Sequence, residues 1–173
     1  MQPNQTHLQA PHLQFHLPAE ADTVAFGAAF ARALAPGLHI QLRGNLGAGK
    51  TALTRAMLQA AGHRGPVRSP TYTLAEPYSV VIGNQRVDVV HFDLYRLASP
   101  EEFLDAGFRE YFGNDTICIV EWPEKAGPVL PSPDIMILLS IAGQGREIEL
   151  QALSDQGMQC LNRLTAALTP PTP

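Results

Sequence analysis

Three observations predict a three-layer α/β fold with a mixed, mainly parallel central sheet and an antiparallel portion. Apolar runs of strand length alternate along the chain with stretches of helical period, the order that builds a sheet covered by helices. A glycine-rich turn at 44–49 joins one such strand directly to a helix. Two strand-like runs flank a tight turn at Gly83-Asn84-Gln85, which adds a β-hairpin.

Taken in order, Met1 to Leu17 is polar, carries His7, His12 and His16 at spacings too loose for a metal site, and reads as a frayed arm or short edge strand. Ala19 to Leu34 repeats apolar residues at helical spacing through Val24, Gly27, Phe30, Ala31 and Leu34, until Pro36-Gly37 stops it. Leu38 to Arg43 is a strand in which Leu38, Ile40 and Leu42 alternate with His39, Gln41 and Arg43, which predicts a strand only partly covered. A helix follows from about Lys50 to Ala61, closed by Gly62. Beyond the loop Gly65 to Pro77, Tyr78 to Ile82 and Arg86 to Phe92 form the hairpin. Ser99-Pro100-Glu101-Glu102 starts a helix, with Ser at the cap, Pro at the first helical position and Glu three residues after the Ser. Thr116 to Val120 and Ile135 to Ile141 are apolar strands, and Arg146 to Leu150 alternates as a half-exposed one. Ser154 to Leu168 is a closing helix, and the proline-rich tail 169–173 is too short and stiff to fold. Neither repeat nor linker divides residues 1–173, so a single domain is expected.

Composition narrows the function. The 12 Lys and Arg against 16 Asp and Glu leave a net charge of −4, which excludes a generally basic surface for nucleic-acid phosphates. Any RNA contact is local or made through a partner. Hydrophobic residues at 45% exclude intrinsic disorder. Cys118 and Cys160 lie far apart without a Cys-x-x-Cys pair and read as reduced core thiols. No run reaches the roughly 18 to 20 apolar residues of a membrane span, and Met1 to Ala10 lacks a basic and an apolar leader region, so a cytoplasmic protein with no membrane partner is expected.

The segment Gly44-Asn45-Leu46-Gly47-Ala48-Gly49-Lys50-Thr51 satisfies G-x-x-x-x-G-K-[ST] in full. Only Lys50 and Lys125 are lysines, which makes a chance match rarer still. The match falls between strand and helix, where backbone N–H groups and the helix dipole point at an anion. Glycines let the loop bend tightly around phosphate, Lys50 reaches toward the β- and γ-phosphates, and Thr51 offers a hydroxyl to Mg²⁺. The expected fold is therefore P-loop NTPase-like. No Asn-Lys-x-Asp run reads guanine and no Leu-Ser-Gly-Gly-Gln signature of transporter ATPases occurs, which favours ATP. Asp93, ending an apolar run, suits Mg²⁺ binding, and Glu121, at the end of the next strand, suits orientation of water or contact with Mg²⁺. Trp122, the one tryptophan, either shields that carboxylate or packs in the core. Ser69-Pro70-Thr71-Tyr72-Thr73 is a hydroxyl-rich loop of the kind that senses a γ-phosphate, with Thr71 as the candidate, or else a plain turn.

Together GNLGAGKT, SPTYTL, HFDLYRL, SPEEF and VEWPEK, in this order and at these spacings, resemble the bacterial TsaE family from about Glu20 to Leu150. The resemblance implies a small ATPase of tRNA threonylcarbamoyladenosine synthesis that works with two partners, TsaD and TsaB. TsaD would transfer the threonylcarbamoyl group to the adenosine next to the anticodon, adenosine 37. ATP hydrolysis by this chain would reset that complex without modifying tRNA itself. Carried over by position, the resemblance gives Lys50 and Thr51 the phosphate and Mg²⁺ contacts, Asp93 a Walker B type role, Glu121 a metal-linked catalytic role, and Trp122 a need in activity. It places Glu20, Thr23, Glu124 and Arg146 around the nucleotide, with the first helix shaping the base pocket. The family usually carries aspartate where this chain has Asn45, which removes a negative charge beside the phosphates. Two other readings compete. A P-loop small-molecule kinase would carry an arginine-bearing lid, whereas Arg64, Arg68, Arg86, Arg96 and Arg109 are scattered. A nucleotide-dependent regulatory switch would turn over negligibly alone.

Overall fold

The computed structural model describes residues 11–113 and 115–170. The frayed-arm reading of residues 1–10, with His7, and the end of the expected tail at 171–173 lie outside them. Seven strands form one sheet: β1 (His12–Leu17), β2 (His39–Arg43), β3 (Ala75–Ile82), β4 (Gln85–Asp93), β5 (Ile117–Glu121), β6 (Ile135–Ala142) and β7 (Gly145–Ala152), in the order β1-β7-β6-β2-β5-β4-β3. The four central strands β6, β2, β5 and β4 are mutually parallel, while the flanking pairs β1·β7, β7·β6 and β4·β3 are antiparallel. Of the two readings of the N-terminal segment, residues 12–17 take the edge strand.

The helices are α1 (Glu20–Ala33), α2 (Lys50–Ala60), α3 (Pro100–Asp105) and α4 (Asp155–Leu168). Period-two alternation splits the strands between two hydrophobic layers. Ile40, Leu42, Val89, Ile117 and Ile119 face Phe26 and Phe30 of α1, Leu53 and Met57 of α2, and Leu161 and Leu164 of α4. Val90, Phe92, Cys118 and Val120 face the other way, into a smaller layer with Phe103 of α3, Leu94 and Ala126. The second face is closed largely by short pieces, α3 and 3₁₀ turns at Phe108–Tyr111, Pro123–Lys125 and Gly127–Val129.

Several local expectations change. Strand β2 is covered on both faces: His39 and Gln41 are as buried as their apolar neighbours, because Phe112 and the segment at Ser132–Asp134 pack against that side. At α3 the Ser99 side chain caps nothing; the Glu102 carboxylate instead accepts from the Ala98 N–H at 2.7 Å. At α4 the expected cap is present, with Ser154 Oγ accepting from Gly157 N at 3.0 Å and donating to Asp134 Oδ1 at 2.6 Å. The β3–β4 hairpin turns on two residues, Gly83 and Asn84, with Gly83 at φ 62°. Both cysteines are free and buried, and burial pushes each thiol up to about 12. Among the described residues no helix is long and apolar enough to cross a membrane.

Candidate functional site

The carboxyl ends of β2, β4 and β5 lie side by side, and the groups with chemistry are at these ends. Strand β2 runs into the 44–49 loop, and the loop into α2, whose first residue is Lys50. Three glycines of the loop hold positive φ: 144° at Gly44, 81° at Gly47 and 103° at Gly49. At Gly44 space also forbids a side chain, and at Gly49 one would have to displace Arg146. A Cβ on Gly44 would sit 2.4 Å from the Leu139 carbonyl oxygen, and one on Gly49 2.5 Å from Arg146 Nε. Ala48 is buried, whereas Asn45 and the Leu46 side chain are exposed.

Lys50 is 5% exposed and folds back over the loop, its Nζ donating to the carbonyls of Gly44 at 2.6 Å and Asn45 at 3.0 Å. The ammonium also lies 4.2 Å from the centre of the Trp122 ring. Burial lowers its pKa from the usual lysine value, opposed by the negative charges of Glu121, Asp93 and Glu124. Among the described residues no carboxylate forms an ion pair with it.

The two predicted carboxylates are neighbours: Asp93 and Glu121 end adjacent parallel strands and stand opposite each other in the register. Both are almost fully buried. They have different partners. Glu121 Oε1 accepts from Thr51 Oγ1 at 2.9 Å and from His91 Nε2 at 2.8 Å. Asp93 accepts from the Tyr95 N–H at 3.0 Å and from Ser69 Oγ, which in turn accepts from Thr71 Oγ1 at 3.4 Å. The hydroxyl-rich segment is thereby tied to the end of β4.

Trp122 follows Glu121 at φ 57°, a left-handed conformation that costs a bulky residue on the order of 1 kcal/mol or more. That turn lays the indole beside Tyr95, ring centres 4.9 Å apart, as well as over Lys50. Trp122 also packs against the smaller hydrophobic layer, as the packing reading expects.

These groups border one open cleft of about 460 Å³, lined by Leu46, Gly47 and Gly49 of the loop, by Lys50 and Thr51, and across from them by Ser69, Thr71, Asp93, Glu121 and Trp122. Other expected residues stand apart from the lining. Arg146 Nη1 donates to Thr23 Oγ1 at 3.2 Å, which joins β7 to α1 behind Gly49. Glu20, at the start of α1, and Glu124, in the 3₁₀ turn after Trp122, are exposed; Glu124 reaches the site through its charge on Lys50. Sequence reasoning named Ser69 only as part of the hydroxyl-rich loop and missed His91, Tyr95 and Arg96. The last two line the cleft, and the Arg96 guanidinium lies 4.7 Å from the Tyr72 ring centre. A histidine inside the apolar run Val89-Val90-His91-Phe92 was the available signal for the first.

Chemically, the cleft has a glycine loop and a cation on one wall and oxygen donors on the other. Among the described residues no three His, Cys, Asp or Glu side chains cluster as a metal site. Thr51, Glu121 and Asp93 are hard oxygen donors, few in number, which suits Mg²⁺ completed by water and phosphate and does not suit Zn²⁺.

The class so defined is a three-layer α/β protein whose functional groups gather at the carboxyl edge of a parallel sheet, around a strand–glycine loop–helix junction. The family model described as "Threonylcarbamoyl adenosine biosynthesis protein TsaE" matches residues 17–148, and the chain belongs to that family. It is 44% identical over 153 residues to the tRNA threonylcarbamoyladenosine biosynthesis protein TsaE of Haemophilus influenzae, covering 85% of this chain and 94% of that one. To the protein of the same name from Bacillus subtilis it is 34% identical, covering 80% of this chain and 84% of the other. The crystal structure of Bacillus subtilis YdiB superposes with a TM-score of 0.76 at 27% identity, over 91% of this chain and 97% of that one.

Proposed function

We propose that this chain is an ATPase of tRNA threonylcarbamoyladenosine biosynthesis, hydrolysing ATP with Mg²⁺ and acting on a TsaD–TsaB complex to sustain its turnover. It does not modify the tRNA. Family membership supports the role in this biosynthesis. The observation that carries the ATPase reading is the convergence of Lys50, Thr51, Asp93 and Glu121 on one cleft at the mouth of the glycine loop. Loop N–H groups and the α2 dipole would hold the phosphates, and Lys50 would exchange its bonds to the Gly44 and Asn45 carbonyls for phosphate oxygens. Thr51 and Glu121, already hydrogen-bonded to each other, are the pair that would hold Mg²⁺. Bound there, Mg²⁺ supplies charge neutralisation on the phosphate oxygens. Asp93, fixed by Tyr95 N–H and Ser69, is the second carboxylate of the Mg²⁺ site, in the Walker B type role. Trp122 covers Lys50 and keeps water from one side of the cleft. Arg146, Thr23, Glu20 and Glu124 border the nucleotide farther from the phosphates. With a net charge of −4, the chain meets tRNA through its partners, in the cytoplasm.

The test is steady-state ATP hydrolysis by the purified chain, alone and with TsaD, TsaB and unmodified tRNA, with Lys50→Ala as the blank. Slow hydrolysis alone, and repeated rounds of tRNA modification only when chain and ATP are both present, is the expected result. Hydrolysis indifferent to the partners, with no effect on modification, overturns the proposal.

A further inference from the structure

We infer that His91, which lies outside the cleft, is a positioning residue that fixes the Glu121 carboxylate for metal-assisted nucleotide chemistry. The inference rests on the ATPase reading above. His91 sits near the carboxyl end of β4, two residues before Asp93, fully buried on the sheet face that carries Val89, and does not line the cleft. Its Nε2 lies 2.8 Å from Glu121 Oε1. An ionised carboxylate only accepts, so Nε2 carries the hydrogen and donates. Its Nδ1 is buried with no partner. All the hydrogen bonding this ring has is therefore spent on Glu121.

Packing does not account for such a residue. In a strand whose neighbours Val89 and Ile119 are fully buried, an aliphatic side chain would fill the space without leaving a ring nitrogen unsatisfied. What the imidazole adds is a second donor to one oxygen. Thr51 and His91 both bond Oε1, while among the described residues no protein donor meets Oε2. Two donors from different elements, α2 and β4, stop the carboxylate from rotating and leave Oε2 as its free acceptor. Thr51 alone would hold it by one bond from a rotatable hydroxyl. His91 also keeps Glu121 restrained when the Thr51 hydroxyl turns toward a ligand.

The experiment compares the parent chain with His91→Leu, His91→Asn and His91→Gln, all checked for folding by thermal midpoint. Two readouts are taken: affinity for the non-hydrolysable ATP analogue AMP-PNP with and without Mg²⁺, and kcat for ATP. A glutamine amide reaches the place of Nε2 and an asparagine amide does not. A hydrogen bond to a charged group gives the scale, so His91→Leu and His91→Asn should lose about tenfold to a hundredfold both in kcat and in the affinity gained on adding Mg²⁺. Mg²⁺-free affinity should stay within about threefold of the parent, and His91→Gln should recover most of both losses. A folded His91→Leu or His91→Asn that matches the parent in both readouts overturns the inference, as does a folded His91→Gln no better than His91→Asn. A parent that binds no nucleotide overturns the ATPase reading itself, and this inference with it.

Discussion

Protonation of His39 should destabilise this protein at the end of the sheet opposite the cleft. The ring is 5% exposed, lies edge-on to Phe112 with centres 4.8 Å apart, and donates from Nδ1 to the Ser132 carbonyl at 3.1 Å; its Nε2 has no partner. Burial lowers its pKa from 6.5 to about 4, outweighing the Ser132 bond and the charge of Asp134, which both act upward. The unfolded chain thus takes a proton near pH 6.5 that the folded chain refuses until about pH 4. Stability from this group is complete above pH 6.5 and is lost as the pH falls toward 4. The gap is worth about 3 kcal/mol in full and about 2 kcal/mol by pH 5. Against a typical total of about 5 to 15 kcal/mol this is a large share. Urea denaturation at pH 7.5 and pH 5, on the parent and on His39→Gln, isolates it from the other groups that titrate in the same range. The parent should lose about 2 kcal/mol more than the variant over that interval. Equal losses would refute the claim that the buried ring is held neutral.

At the cleft, Lys50→Ala should lose ATP binding, whereas Glu121→Ala should keep Mg²⁺-free binding and lose hydrolysis; calorimetric titration beside a phosphate-release assay separates the two. Equal loss of Mg²⁺-free binding in both would remove Glu121 from its assigned role. Thr71→Ala should narrow the difference between the ATP and ADP forms in binding the partner complex, read by pull-down or surface binding; an unchanged difference excludes γ-phosphate sensing at Thr71. Gly27 sits where α1 crosses α2, and a Cβ there would lie 2.4 Å from Ala56 Cβ. Gly27→Val should therefore cost about 1 to 3 kcal/mol by forcing the helices apart, visible as a lowered thermal midpoint.

The loop at 44–51 was legible because its backbone demands glycine and its chemistry demands Lys50 and Thr51, so residue types alone mark it. Helix limits were legible through Pro36-Gly37 and through Ser154, which caps as expected. The edges were less so. β3 starts at Ala75, not Tyr78, and takes in Pro77, because an edge strand has no outer neighbour that needs the missing N–H. The burial of His39 and Gln41 was hidden because a polar alternation reads as solvent-facing whatever loop later covers it. Within the site, Lys50, Thr51, Asp93 and Glu121 were named in advance. Their division of labour was not: that Thr51 bonds Glu121 while Ser69 bonds Asp93 depends on the register of β4 against β5, which no local pattern carries. His91 escaped for the same reason, since its partner is thirty residues away.

The sheet has an order of assembly built into it. The antiparallel pairs β3·β4 and β6·β7 are joined by two-residue turns and can zip locally, at small loss of chain entropy. The parallel centre cannot: His39 must find Cys118 and Ile40 must find Ile135, across about half the chain. Contacts so distant in sequence form slowly. Asp93 should arrive on an early hairpin, and Lys50 and Glu121 should meet it only once β2 and β5 pair beside β4. After dilution from denaturant, assembly of the cleft should therefore trail recovery of strand signal, so that Lys50, Asp93 and Glu121 come together only when the last strands have closed.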